Sequence, residues 1–182
     1  MNTKFDPQKH HRRSIRLKGY DYASEGAYYV TIITQNRECL FGEIIDGEIH
    51  LTKYGEIVEK GWIEISIHFP NVETGTFIVM PNHVHGIILI RGKVISPNYQ
   101  GNDILCKPSL GQIIAYFKYQ STKEMNAMEH TGTITKFWQR NYYEHIIRND
   151  KELRQKTDYI LDNPSRWDRD QENPNNKKPP SS

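Results

Sequence analysis

Apolar residues recur along this chain with two periods, one short and one long. In "AYYVTIIT", Ala27 to Thr34, β-branched and aromatic residues run together and predict a strand. "CLFGEIIDGEIHLT" predicts two short strands joined at Asp46-Gly47, a pair suited to a two-residue hairpin. From Thr52 the period lengthens: Ile57, Val58, Trp62 and Ile65 share one helical face, with Thr52 as the cap and Pro70 marking the end. "VETGTFIVM" and "HVHGIILI" read as two further strands, divided by the turn residues Pro81-Asn82. Beyond the loop "RGKVISPNYQGNDILCKPS", a second amphipathic helix is expected over 110–128. It turns Leu110, Ile113, Ile114 and Phe117 inward and leaves Lys118 and Lys123 outside. "TGTITKFWQRNYYEHIIRND" reads as extended, with Trp138 in the core. "DKELRQKTDYILDNP" reads as a third helix that stops at Asn163-Pro164. Strands and helices interleave with hairpins among the strands, which predicts an α+β fold, its helices on one face of a central, mainly antiparallel sheet.

Length and composition narrow the picture. The 182 residues suffice for one core of ordinary size, with 36% apolar, 25% charged and 11% aromatic residues. Net charge is only +2, but the basic run "KHHRRSIRLKGY" concentrates positive charge near the start. Residues 1–13 are expected to form a basic flexible arm, 14–167 the folded domain, and 168–182 a disordered polar tail. Cys39 and Cys106 suit neither a disulfide framework nor a zinc site, which points to a reducing cytoplasm. No run approaches the length of a membrane span, so no membrane partner is expected.

The candidate chemistry lies in "FIVMPNHVHGIILI". Alternate residues of a strand share a face, so His83 and His85 project together while Val84 points the other way. Two imidazoles so placed can reach one divalent ion and leave positions open for water or phosphate oxygens. The competing reading is a hydrogen-bonded, inert pair on a half-buried strand. On the last helix Tyr159 and Asn163 stand four apart, hence on one face. An Asn163 amide oxygen could join the imidazoles, with Tyr159 pointing into the same site. Alternatively, Tyr159 is a core phenol with its hydroxyl at the rim, and Asn163 an ordinary helix end before proline.

The segments "MPNHVHGIILI", "KFWQRNYYEHIIRND" and "TDYILDNPSRW", in that order, resemble the single-tyrosine HUH transposases, nearest the REP-associated tyrosine transposase branch, which is related to the small insertion-sequence transposases. The resemblance also takes in "RSIRLKGYDYASEGAYYVTIITQNRECLFGEI" and "GQIIAYFKYQSTKEMN", and so covers roughly Ser14 to Trp167. It implies a ferredoxin-like, HUH nuclease-like sheet with His83, His85 and Asn163 as ligands of Mg²⁺ or Mn²⁺ and Tyr159 as the nucleophile. The implied activity is a transposase: a metal-dependent single-stranded DNA endonuclease and strand transferase, acting near hairpins through a 5′-phosphotyrosine, as a monomer or homodimer.

Other residues take secondary roles. Arg12, Arg13, Arg16 and Lys18 would contact phosphates, as would Lys118 and Lys123 from the second helix; the alternative reading in each case is solvated surface charge. His145 could orient the phosphate, receive the tyrosine proton or be purely structural. Tyr142 and Tyr143 rival Tyr159 by residue type, but only Tyr159 has an amide residue one helical turn onward. His10, His11, His50, His68 and His130 show no ligand spacing with the pair. Two other functions fit the same residues: a hairpin-binding DNA protein without catalysis, and a metal-dependent phosphohydrolase that uses water.

Overall fold

A computed structural model describes residues 17, 19–92, 107–129 and 134–176. The basic residues Arg12, Arg13, Arg16 and Lys18 lie outside that set. The elements run β1 (Gly26–Ile33), β2 (Gly42–Ile45), β3 (Glu48–Leu51), α1 (Lys53–His68), β4 (Val72–Met80), β5 (His83–Ile90), α2 (Leu110–Glu129), β6 (Tyr143–Ile147) and α3 (Asp150–Asp162). A 3₁₀ turn over Pro164–Arg169 follows α3, and a second spans Pro174–Asn176. Local chemistry sets these bounds. Asp46 and Gly47 both take positive φ, 51° and 81°, as the two-residue turn between β2 and β3 requires. The Thr52 hydroxyl caps α1 by accepting from the Gly55 N–H at 3.2 Å, and Asn149 caps α3 by accepting from the Glu152 N–H at 2.9 Å.

Four strands form the main sheet in the order β4-β5-β1-β6, every pair antiparallel; β2 and β3 pair separately. β1 and β5 are therefore interior strands. Their even-numbered residues, Tyr28, Val30 and Ile32 with Val84 and Ile88, enter one large cluster with Trp62 and Ile65 of α1 and Phe117 of α2. Their odd-numbered residues face the other way, where Tyr29 and Ile87 pack with Ile147 of β6 and Ile160 of α3. The expected single helical layer is thus corrected: α1 and α2 cover one face, and α3 lies over the other. The reason is register. Alternation on the interior strands gives both faces apolar residues, and the odd face needs its own cover.

The expected disordered tail is corrected over 168–176. Asn173 is buried, and its Nδ2 donates to the Trp167 carbonyl at 2.9 Å. Side-chain-to-backbone bonds order this segment although it has little apolar content. Among the described residues no helix is long and apolar enough to cross a membrane.

Candidate active site

β5 opens on His83, directly after the Pro81-Asn82 turn, so both histidines stand at the end of an interior strand on its α3 face. Register sets their neighbours. His85 pairs with Thr31 on β1 and Ile78 on β4, while His83 pairs with Ile33 and Met80. The Nδ1 of His83 donates to Asn82 Oδ1 at 2.8 Å, which leaves a lone pair on Nε2. The Nδ1 of His85 lies 2.7 Å from the Tyr29 hydroxyl and 3.0 Å from Thr31 Oγ1. Both Nε2 atoms turn to one point, 2.9 Å apart. Two imidazole nitrogens at that distance need a proton or a cation between them. Burial pushes His83 well below 6.5, assisted by His85 and Arg37, and pushes His85 down to about 3, assisted by the Lys156 charge. Both rings are neutral at pH 7, the form that ligates metals.

α3 brings the remaining groups. Tyr159, 40% exposed, sets its ring centre 5.3 Å from that of His85 and 6.1 Å from that of Tyr29. Burial and the charge of Asp170 raise the phenol above 10, opposed by a hydrogen bond with Asn163 and by Arg166. Asn163, 2% exposed, closes the helix, and its Oδ1 has no hydrogen-bond partner among the described residues. A buried acceptor without a donor is costly, and a cation would satisfy it. His85, Tyr159, Asn163 and Lys156 line one cleft of about 930 Å³, whose wall also holds Arg169 and Asp170. The Lys156 Nζ lies 4.5 Å from the centre of the Tyr29 ring.

Four residues singled out in the sequence, His83, His85, Tyr159 and Asn163, therefore meet on the α3 face. Tyr143, the rival by residue type, also lines the cleft, its ring centre 6.3 Å from that of Tyr29. Lys118 is corrected from a free outer cation: its Nζ donates to the carbonyls of Gln139 at 2.8 Å and Asn141 at 3.0 Å, and burial lowers it to about 8. Lys123 is exposed on the same helix, and that helix covers the sheet face opposite the histidines. His145 lies on β6, its Nε2 3.3 Å from Glu152 Oε2 at the start of α3. Three further features escaped the sequence reading. Tyr29 and Thr31 belong to the site through strand register. Asn82 bridges: its Nδ2 donates to the carbonyls of Arg37 at 3.0 Å and Glu172 at 2.7 Å. Its adjacency to His83 was the available signal. Asp170 is the third: its carboxylate and ring nitrogens of His83 and His85 all lie within 4.8 Å of one another. Nothing in its local sequence marked it, since it falls in the stretch read as tail.

No family model matches the chain. An uncharacterized protein of Haemophilus influenzae is 42% identical over 179 residues, 94% of this chain and 98% of that protein. Another Haemophilus influenzae protein, named "Putative REP-associated tyrosine transposase", is 28% identical over 151 residues, 79% of this chain and 73% of that one. Among solved structures, a REP-associated tyrosine transposase bound to a REP hairpin shares the fold with a TM-score of 0.56 and 22% identity, over 85% of this chain and 74% of that one. In fold the chain is similar to a solved REP-associated tyrosine transposase, and in sequence to a protein that bears that name.

Proposed function

We propose that this protein is a metal-dependent single-stranded DNA endonuclease and strand transferase that works beside hairpins through a 5′-phosphotyrosine. The observation that carries the reading is the meeting of Tyr159 with two convergent imidazoles over one cleft. A hairpin substrate is supported by the relative solved with a REP hairpin.

His83, His85 and Asn163 would hold Mg²⁺ or Mn²⁺: two neutral nitrogens, and a buried amide oxygen that has no partner among the described residues. A bound cation would supply polarisation of the scissile phosphate and charge neutralisation as the transition state forms. The chain's own groups do the rest. The Tyr159 oxygen attacks phosphorus, forming a P–O bond to the phenol and breaking the bond to the 3′ oxygen, which leaves as a hydroxyl after taking a proton. Tyr159 is protonated at pH 7, because burial and Asp170 hold its proton on, and that proton leaves to solvent through the open side of the cleft. The phosphotyrosine conserves the phosphodiester bond energy, so a 3′ hydroxyl can reverse the step and join a different end. Lys156 and Arg169 line the cleft where a phosphate backbone would lie, and Arg12, Arg13, Arg16 and Lys18 would add contacts along the flanking strand.

A denaturing gel tests this reading. The protein is incubated with labelled single-stranded oligonucleotides carrying the hairpins that flank its gene, with Mg²⁺ or Mn²⁺. We expect a covalent protein–DNA band that disappears in Tyr159→Phe and weakens in His83→Ala. Cleavage without an adduct would instead identify water as the nucleophile. Binding without cleavage under either metal would establish a hairpin-binding protein.

A further inference from the structure

We propose that Asp170 is a carboxylate ligand of the divalent cation held by His83 and His85. The inference rests on the metal-dependent reading above and adds a negatively charged oxygen to a donor set that is otherwise neutral.

Distance is the first argument. Donors 2.0–2.2 Å from a common cation lie roughly 3–4.4 Å from each other. The donor atoms of His83, His85 and Asp170 fall within 4.8 Å of one another, so small side-chain adjustments bring them onto one cation. Pairing is the second. Among the described residues no cation salt-bridges Asp170: Arg37 pairs with Glu172, and Arg166 with Asp162 at 2.8 Å. Burial of this carboxylate beside two buried rings is costly; the Asn163 hydrogen bond and the Arg37 charge offset part of that cost, and a bound cation would offset more.

Support for the carboxylate is the third. Its Oδ1 accepts the Glu172 N–H at 2.6 Å, and the Asn163 side chain also hydrogen-bonds the carboxylate, which together fix the group beside the histidines. Its own N–H donates to the Trp167 carbonyl at 3.0 Å, and Asn176 Nδ2 donates to its carbonyl at 2.9 Å. The segment is also tied to the first histidine through a single side chain. Asn82 donates to the Glu172 carbonyl through Nδ2 and accepts from His83 Nδ1 through Oδ1, so the Asp170 turn and the His83 ring share one anchor. Metal sites are commonly braced by such outer partners. The last argument is chemical: Mg²⁺ and Mn²⁺ are hard cations that prefer oxygen, and a carboxylate offsets charge that imidazoles and an amide leave uncompensated.

The test measures metal rather than turnover. Mn²⁺ is titrated into the full chain without DNA, and free Mn²⁺ is followed by electron paramagnetic resonance. Asp170→Asn preserves shape and the acceptor for Glu172, so the fold should survive; thermal unfolding checks that it does. We expect wild type to bind one Mn²⁺ and Asp170→Asn to bind it at least about tenfold more weakly, the scale on which metal sites lose affinity. Asp170→Glu, which keeps the charge, should fall between them and guards against an unfolded Asn variant. Affinity within twofold of wild type for a folded Asp170→Asn would overturn the assignment while leaving the metal-dependent reading intact. Wild type binding no Mn²⁺, or His85→Ala binding as tightly as wild type, would overturn both.

Discussion

Gly86 separates His85 from Ile87 on β5, and the space a side chain would take there is filled by a tryptophan. A Cβ at this position would lie 2.2 Å from Trp62 Cζ2, 2.7 Å from Cη2 and 2.9 Å from Cε2. Ordinary carbon contacts are about 3.5–4.0 Å, so Gly86→Ala demands a shift of more than an ångström. Trp62 has nowhere to go. It is fully buried, stacks on Phe77 at 5.8 Å between ring centres and meets the edge of Phe117 at 5.4 Å. Overpacking a core costs roughly 1–3 kcal/mol, and contact with three atoms of a rigid ring puts this substitution at the upper end. For a chain of this size each kcal/mol is worth about 2–4 °C, so the melting temperature should fall by roughly 6–12 °C in a calorimetric scan. Trp62→Phe removes the atoms in conflict, and in a double-mutant cycle it should relieve at least about half of the Gly86→Ala cost. Sliding β5 to relieve the clash would also displace His83 and His85, so Mn²⁺ affinity should fall with stability. A melting temperature within about 2 °C of wild type, or strictly additive single and double variants, would refute the packing argument.

Three further outcomes follow from the hydrogen-bond pattern. Tyr29→Phe removes the 2.7 Å partner of His85 Nδ1 and leaves only Thr31, so Mn²⁺ affinity measured by calorimetry should drop about tenfold with little loss of stability. Asn82→Ala strips a buried amide from His83 and from the carbonyls of Arg37 and Glu172; urea unfolding should show a loss of roughly 2–4 kcal/mol and limited proteolysis faster cutting after Arg169. The Arg148 N–H, with His145, holds the Glu152 carboxyl below 4.5; a depressed acid stabilises the fold above its unfolded value and loses that contribution as pH falls through the folded one. Helicity of α3 should therefore decline in acid below about pH 4, and Glu152→Gln should remove that dependence; an unchanged acid profile in the variant would be the contrary result.

Much of this was legible in the sequence because it depends on local period and turn chemistry. The hairpin at Asp46-Gly47, the Thr52 cap, the inward faces of α1 and α2 and the stop at Asn163-Pro164 all follow from rules that act over a few residues. The His83/His85 pair was readable for the same reason. What escaped depends on partners far along the chain. Thr31 reaches His85 only because β1 pairs β5 in one register, and no period in either segment reveals which strand will lie beside which. Asp170 and Asn173 are ordered by polar contacts, and a hydropathy pattern sees only apolar burial. Lys118 looked like surface charge because its helical position is half outward; the carbonyls that capture it come from residues 139 and 141.

The way α3 is held has a consequence for motion. α1 and α2 each bury six residues, whereas in α3 only Ile160 is fully buried, with Leu153 packed beside it. Opening free energy tracks buried apolar contact, so amides of α3 should exchange with solvent well before those of β1 and β5. The two halves of the chemistry then ride on elements of unequal stiffness, the histidines on an interior strand and the tyrosine on a lightly moored helix. Under the proposed reaction, a strand end attached to Tyr159 could be swung away from the histidines and returned to another 3′ end while the sheet stays folded.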